Sequence, residues 1–182
     1  MSRESPQRSA DTTAYVAFGA NLGDRERTLH SAIAALRQLG SVEAISSFYE
    51  TAPVGMVEQP DFVNAVVALR TALSPEELMA ALLRIEQQHG RDRSVSVPKG
   101  PRTLDLDLLS YGDVVIETPT LTLPHPSLAD RRFVLVPLRE IAPQWRHPLS
   151  GKTTAALLAE LSQRGGESSQ PLRKVQSSTP SA

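Results

Sequence analysis

Residues 62–90, FVNAVVALRTALSPEELMAALLRIEQQHG, predict a β-strand followed directly by an α-helix. The segment Phe62–Thr71 is rich in β-branched residues, which favour extended structure. SPEE at 74–77 then combines a serine N-cap, a proline in the first helical position and a glutamate that completes a capping box. Leucine and isoleucine recur every three or four residues as far as Ile85, so the helix has one apolar face and ends near Gly90.

The segments on either side extend this pattern in both directions. Upstream, AYVAFGAN (14–21) reads as a strand that ends at Gly19, Asp24 can cap a following helix, and residues 42–49 read as a second strand. Downstream, TLDLDLL (103–109) reads as the last strand. The order strand, helix, strand, strand, helix, strand is that of a ferredoxin-like sandwich. We therefore predict an α+β fold with a mainly antiparallel sheet and helices packed on it.

A chain of 182 residues suits one domain. The prediction is a folded domain over residues 13–162, between polar tails at 1–12 and 163–182 that are too poor in apolar residues to form a core. A hairpin and two helices near the C-terminal end are additions to the ferredoxin-like unit, at 114–123, 133–141 and 152–161.

The composition excludes several classes of function. Lys plus Arg number 19 against 20 Asp plus Glu, and this balance gives no reason to expect nucleic acid or a membrane surface as a partner. The absence of cysteine excludes disulfides, thiolate nucleophiles and Cys-based zinc sites. The first residues lack the apolar run of a secretory signal. We expect a cytoplasmic monomer.

Asp105 and Asp107 form the most informative pair in the chain. Alternate residues of a strand face the same side, so the two carboxylates share one face, on the order of 7 Å apart, while the intervening leucines face a core. Like charges so close repel unless a cation lies near them, and Mg²⁺ favours such oxygen ligands. Taken alone, two such aspartates more often belong to a solvated strand face. The nearby Arg91, Arg93 and Arg102 favour a metal-bound polyphosphate instead.

The segment GPRTLDLDLL (100–109) resembles the signature of the 6-hydroxymethyl-7,8-dihydropterin pyrophosphokinase family. The similarity runs from about residue 14 to residue 161. Further stretches resemble the family in the same order: FGANLGDR (18–25), SSFYETAPVG (46–55), QPDFVNAVV (59–67), RIEQQHGR (84–91) and LPHPSLADRRFVLVPL (123–138).

The resemblance implies a folate-biosynthesis enzyme that transfers pyrophosphate from ATP to the hydroxymethyl group of the dihydropterin and releases AMP. It implies that Asp105 and Asp107 hold two Mg²⁺ ions on the triphosphate. It also implies that Arg91 and Arg102 contact the phosphates and assist transfer.

Further roles are implied residue by residue. The residues matched to nucleotide contacts are Glu86, Arg93, His125 and Arg131. The residues matched to the pterin site are Thr51, Ala52, Val54, Phe62, Asn64 and Phe133. Among these, the two phenylalanines match rings that sandwich the pterin, Asn64 matches a hydrogen-bonding side chain, and residues 51–54 match a loop that offers backbone groups. From periodicity alone, both phenylalanines would instead be ordinary core residues.

The sequence departs from the family in the segment that resembles a lid over ATP and pterin. An aromatic residue commonly precedes Gly-Pro-Arg there, whereas this chain has Pro98 and Lys99. Pro126 also replaces a larger residue that often follows the histidine. We predict slower turnover or weaker pterin capture rather than loss of activity.

Two other functions remain open at this point. A ferredoxin-like binding or regulatory module without catalysis is compatible with the fold, because a fold does not dictate a function. A different heterocyclic alcohol as acceptor is compatible with the motifs. SGKT at 150–153 resembles the end of a phosphate-binding P-loop, but Arg146 occupies the position of its first glycine, so we interpret it as a helix start.

Overall fold

The computed structural model of the protein describes residues 11–53, 58–91, 94, 100–165 and 171–176. The strands are β1 (Thr12–Ala20), β2 (Ser41–Ile45), β3 (Tyr49–Thr51), β4 (Phe62–Thr71), β5 (Asp105–Tyr111), β6 (Ile116–Glu117), β7 (Thr122–Leu123) and β8 (Arg173–Lys174). The helices are α1 (Arg25–Leu36), α2 (Pro75–Gln88), α3 (Arg132–Ile141) and α4 (Thr154–Arg164), and a 3₁₀ turn, Leu128–Asp130, precedes α3.

The main sheet has the order β5-β1-β4-β3-β8, and β2 also pairs with β4. Every pairing within it is antiparallel. The first and third strands of the predicted order therefore lie at the centre of the sheet, which confirms the ferredoxin-like sandwich. The predicted hairpin is also present, as the pair β6–β7.

Local sequence signals explain where the first two helices begin. The side chain of Asp24 accepts a hydrogen bond from the backbone of Arg27 at the start of α1. The capping box of α2 has both of its hydrogen bonds, between Ser74 and Glu77. These bonds satisfy backbone N–H groups that have no partner within a helix.

Two apolar clusters lie on opposite faces of the sheet. On one face, α1 and α2 contribute to a core with Phe18, Leu69 and Leu106. On the other face, α3 and α4 form a smaller cluster with Val66 and Leu109. Burying a leucine side chain contributes roughly 1.5–3 kcal/mol, so these clusters fix the positions of the helices on the sheet.

The predicted second strand, 42–49, is interrupted in the structure. It divides into β2 and β3, which are separated by Ser46, Ser47 and Phe48. The Ser46 hydroxyl accepts a hydrogen bond from the backbone N–H of Val66 at 2.9 Å, and this side chain takes the place of a backbone acceptor in the ladder. The prediction of one continuous strand was therefore wrong, because a side chain competes with the backbone there.

The predicted C-terminal tail also contains secondary structure. Helix α4 continues to Arg164, and β8 pairs with β3 within the predicted tail of 163–182. The prediction of an unstructured tail is wrong for these residues, because a short strand needs little core of its own when a sheet edge supplies its partners. No helix in the described part of the chain is long and apolar enough to cross a membrane.

Candidate active site

A pocket of about 360 Å³ opens on the face of the sheet that α3 partly covers. Gly19 of β1 pairs with Asn64 of β4 on one side and with Asp105 of β5 on the other. The register therefore brings these two polar side chains to the same end of the sheet. The pocket is lined by Gly19, Thr51, Ala52, Phe62, Asn64, Arg102, Asp105, Asp107, Arg131, Phe133 and Leu172, among others.

Strand β5 separates its charged and apolar side chains as alternation predicts. Leu104, Leu106 and Leu108 lie in the larger core and are at most 3% exposed. Asp105 and Asp107 line the pocket on the opposite face. The predicted orientation of the strand is confirmed.

Three arginines neutralise the two aspartates. Asp105 accepts hydrogen bonds from Arg91 and from Arg102. Asp107 accepts one from Arg131 at 3.0 Å. Guanidinium groups from three different segments thus already balance the charge of the two carboxylates.

The environment of Asp105 keeps its carboxyl group ionised. Burial by itself would raise the pKa of Asp105, but the charges and hydrogen bonds of Arg102 and Arg91 outweigh burial and keep the pKa below its ordinary value. Its side chain is 19% exposed, so solvent and ligands can still reach it from the pocket.

The two aspartates fit magnesium in donor type and position. Both offer hard carboxylate oxygens on the pocket side of β5, which suits a cation that takes one or two carboxylates and completes its shell with phosphates and water. Within the described ranges, no group of three or more His, Cys, Asp or Glu residues forms an all-protein metal site. The donor set therefore fits a metal that arrives together with a phosphate ligand.

Glu86 lies behind the pocket wall, with only 1% of its surface exposed. Its Oε1 accepts hydrogen bonds from the backbone N–H of Leu106 at 2.8 Å and from Arg91 at 2.9 Å. The carboxylate thus joins α2 to β5 and orients the guanidinium that contacts Asp105. Glu86 therefore holds Arg91 in place and is not itself among the residues that line the pocket.

His125 lies beside the aspartates and is connected to the outer edge of β5. Its backbone N–H donates to the Leu109 carbonyl at 2.8 Å, and its Nδ1 accepts from the backbone of Ser127 at 3.1 Å. Nε2 therefore faces Asp107, 3.9 Å from the nearer carboxylate oxygen. Burial lowers the pKa of His125 despite the nearby carboxylate of Asp107, so the ring favours its neutral form.

A second group of lining residues is mainly apolar and adjoins the charged group, since the Arg131 guanidinium lies 5.9 Å from the centre of the Phe133 ring. We call this second group the apolar half of the pocket, and the two aspartates with their arginines the charged half. Phe62 at the start of β4 and Phe133 in the first turn of α3 both line it. Asn64 is 8% exposed and donates a hydrogen bond to the Thr51 hydroxyl at 2.9 Å. A β-carbon on Gly19 would lie 2.5 Å from the Asn64 carbonyl oxygen, so only glycine leaves room for this amide.

Four residues singled out in the sequence, Val54, Arg93, Pro98 and Lys99, lie outside the described residues. The roles implied for Val54 and Arg93, and the altered lid segment, therefore stay predictions.

Asn21 is a site residue that sequence reasoning missed. It is 1% exposed, its amide donates to Gln59 Oε1 at 2.8 Å and to the Pro60 carbonyl at 3.0 Å, and its Oδ1 accepts from the backbone N–H of Arg102 at 2.8 Å. It thereby connects the loop before Phe62 to the loop that carries Arg102. The available signal was an asparagine two residues after the end of a predicted strand.

Residues 15–143 match the model of a protein family described as 7,8-dihydro-6-hydroxymethylpterin-pyrophosphokinase, or HPPK. The chain belongs to this family. The HPPK match covers every site segment described above except Leu172, which lies beyond it. The chain is therefore a pyrophosphokinase of folate biosynthesis, and a non-catalytic ferredoxin-like module is not favoured.

Individual relatives agree with this assignment. The chain is 47% identical over 150 residues to a 2-amino-4-hydroxy-6-hydroxymethyldihydropteridine pyrophosphokinase of Synechocystis sp., covering 81% of this chain and 75% of the relative. It is 47% identical over 132 residues to the enzyme of the same name from Haemophilus influenzae, covering 71% and 81%.

Solved structures resemble the HPPK chain in fold. A crystal structure of Plasmodium falciparum HPPK-DHPS A437G with pteroate superposes with a TM-score of 0.67 at 15% identity and covers 88% of this chain. The match spans 44% of that solved chain, so this chain corresponds to less than half of it. At this identity the likeness concerns the fold alone.

Proposed function

We propose that this chain transfers the pyrophosphoryl group of ATP to the hydroxymethyl oxygen of 6-hydroxymethyl-7,8-dihydropterin and releases AMP. The observation that carries the proposal is the composition of one pocket. Its lining includes two carboxylates with two arginines, and two phenylalanines with a buried asparagine. A polyphosphate fits the first set of residues and a flat heterocycle fits the second.

The charged half would bind the triphosphate. Arg102 and Arg131 line the pocket, and their planar guanidiniums match phosphate oxygens in pairs. Asp105 and Asp107 would hold two Mg²⁺ ions, which neutralise triphosphate charge when they are bound with ATP. Arg102 and Arg131 would then turn from the carboxylates to the phosphates, because cation and arginine compete for the same oxygens.

Arg91, Glu86 and His125 would support this half. We assign phosphate contact to His125, whose Nε2 faces Asp107, and transfer assistance to Arg91. Glu86 would orient Arg91 through their 2.9 Å ion pair instead of touching the nucleotide. Such transfer depends mainly on in-line positioning and charge neutralisation, so the guanidinium groups supply most of what this chain contributes.

The apolar half would bind the pterin. Phe62 and Phe133 come from different elements and would stack on the two faces of the ring. The Asn64 amide, held by Thr51, would hydrogen-bond the ring edge, and backbone groups near Ala52 would complete the contact. We further propose that the enzyme acts as a monomer in the cytoplasm.

An assay of AMP release tests the proposal. Purified protein with ATP, Mg²⁺ and the dihydropterin alcohol should form AMP, and Asp107→Asn should lower the rate by roughly 10²-fold or more. Lys152→Ala is the matched control, because Lys152 is paired with Glu160 at 2.7 Å, is not among the pocket-lining residues and should leave the rate unchanged. AMP release that is equally fast with other alcohols, or absent with the pterin, would contradict the proposed acceptor.

A further inference from the structure

The last described segment of the chain, residues 171–176, lies along the edge of β3, and we call it the C-terminal strap. Within it, Lys174 pairs with Tyr49 and Arg173 with Glu50 in antiparallel register. The backbone N–H of Val175 donates to the Phe48 carbonyl at 2.8 Å. The strap is thus a short sixth strand, added after the fold proper and beyond the part of the chain that matches the family model.

Side chains hold the strap at a defined position along β3. Arg173 pairs with Glu50, whose side chain is 16% exposed and also accepts from Arg25 at 2.9 Å. These arginines keep the pKa of Glu50 below its ordinary value, with the Arg173 hydrogen bond as the largest cause. Val175 packs against the larger apolar core. The backbone pairing with β3, the ion pair with Glu50 and the apolar contact of Val175 together fix the register of the strap.

Leu172 is the residue of the strap that lines the pocket. It precedes the paired residues of β8 and lines the pocket together with Thr51, Ala52, Phe62 and Phe133. Four of these five residues are those that the proposed function assigns to the pterin, and Leu172 is the fifth. Its side chain is partly exposed in the free protein, so a bound heterocycle would bury it further.

We propose that Leu172 is a pterin-contacting residue and that docking of the strap positions it. The inference rests on the proposed function, since it assumes that the apolar half takes the heterocycle. An aliphatic side chain beside two stacking rings strengthens the binding of a flat heterocycle and does not contact the phosphates. Leu172 therefore acts on acceptor binding and leaves nucleotide binding unchanged.

The test compares Leu172→Ala with the wild-type full chain, by titration of the fluorescent pterin and by steady-state kinetics. The Kd and KM for the pterin should rise by roughly five- to thirtyfold, as for lost methylene groups in an apolar pocket, with kcat and the ATP Kd within about twofold. Leu172→Met should recover most of the affinity, because it restores the volume. Arg173→Ala should shift the pterin KM in the same direction by a smaller factor.

Leu149→Ala is the matched control, because Leu149 is 67% exposed and does not line the pocket; it should change nothing. If wild-type protein binds the pterin and Leu172→Ala binds it equally well, the role of the strap is overturned. If Leu172→Ala weakens both ligands and lowers the melting temperature, the residue is structural and the inference is again overturned. If wild-type protein itself fails to bind the pterin, the proposed function fails instead.

Discussion

The charged half and the apolar half of the pocket are built in different ways. Asp105, Asp107 and Arg102 lie within six residues of one another, and strand alternation alone turns the two carboxylates to the same side. Phe62, Phe133 and Leu172 come from segments far apart in the chain and meet only when the sheet, α3 and the C-terminal strap have packed. One half is set by local geometry and the other by tertiary assembly.

This difference separates the kinetic constants that each half controls. Residues of the charged half would act on the transferred pyrophosphoryl group, so substitutions there should lower kcat. Residues of the apolar half would bind the acceptor, so substitutions there should raise the pterin KM. Variants placed in one half, in the other, or in the residue that joins them therefore test whether the division is real.

Asp105→Asn should have the largest effect, because it removes a charge from the centre of the charged half. We expect kcat to fall by roughly 10³-fold, as for loss of a group that organises charge in a transition state, with pterin affinity nearly unchanged. Steady-state AMP release and pterin titration measure the two quantities. A large loss of pterin affinity in this variant would show that the halves are not separable.

Asn21→Ala should affect both halves, because Asn21 joins the loop before Phe62 to the backbone of Arg102. We expect kcat to fall and the pterin KM to rise, each by roughly tenfold, since small displacements of positioning groups are costly. Steady-state kinetics with each substrate varied in turn resolves the two changes. A change in only one constant would count against the joining role.

Gly19→Ala should act on the apolar half, because the added methyl group meets the Asn64 amide. We expect a roughly tenfold rise in the pterin KM, with kcat largely retained. A double-mutant cycle with Asn64→Ala provides the control: the second change should add little once the amide is gone. Full additivity would show that the two residues act separately.

Glu140→Gln should have the smallest effect, since Glu140 lies outside both halves and joins α3 to β3. Its carboxylate accepts from Ser47 and from Tyr49, each hydroxyl at 2.6 Å, and burial with this contact raises the pKa of Tyr49 to about 12. We expect a loss of about 1 kcal/mol in the free energy of unfolding at neutral pH, a value reduced by solvent screening, with activity retained.

The pH dependence of that loss has a definite sign. Burial would raise the pKa of Glu140, but hydrogen bonds from Ser47 and Tyr49 outweigh it and keep the pKa below the ordinary value of 4.5. The stabilisation is therefore present above that value and disappears as the pH falls through the lower folded-state pKa. Urea titrations at neutral and acidic pH should show the difference between wild type and variant shrinking with acid; a constant difference would contradict this explanation.

Sequence reasoning succeeded where a short pattern fixes the geometry. The alternation from Leu104 to Leu108 predicted the two faces of β5, and SPEE at 74–77 predicted the start of α2. The order of elements was enough to predict the ferredoxin-like sheet. In each case, neighbouring residues carry the whole signal.

Sequence reasoning was less successful where contacts between distant segments determine the position of a side chain. Nothing near Glu86 indicates that its carboxylate binds the backbone of Leu106, 20 residues later. Asn21 likewise meets Arg102 across 81 residues. The strap was assigned to a tail because six residues have too little apolar surface for a core, although an existing strand edge supplies their partners.

The bond between Glu86 and Leu106 has one more consequence. Strand β5 is an edge of the main sheet, and unpaired N–H and C=O groups on such an edge are a template for strands of other molecules. The Glu86 carboxylate occupies the outward N–H of Leu106, and the backbone of His125 occupies the carbonyl of Leu109. These two groups of the strand that presents the aspartates are thereby unavailable for intermolecular β-pairing, so the same buried acid that orients Arg91 also blocks part of an open sheet edge.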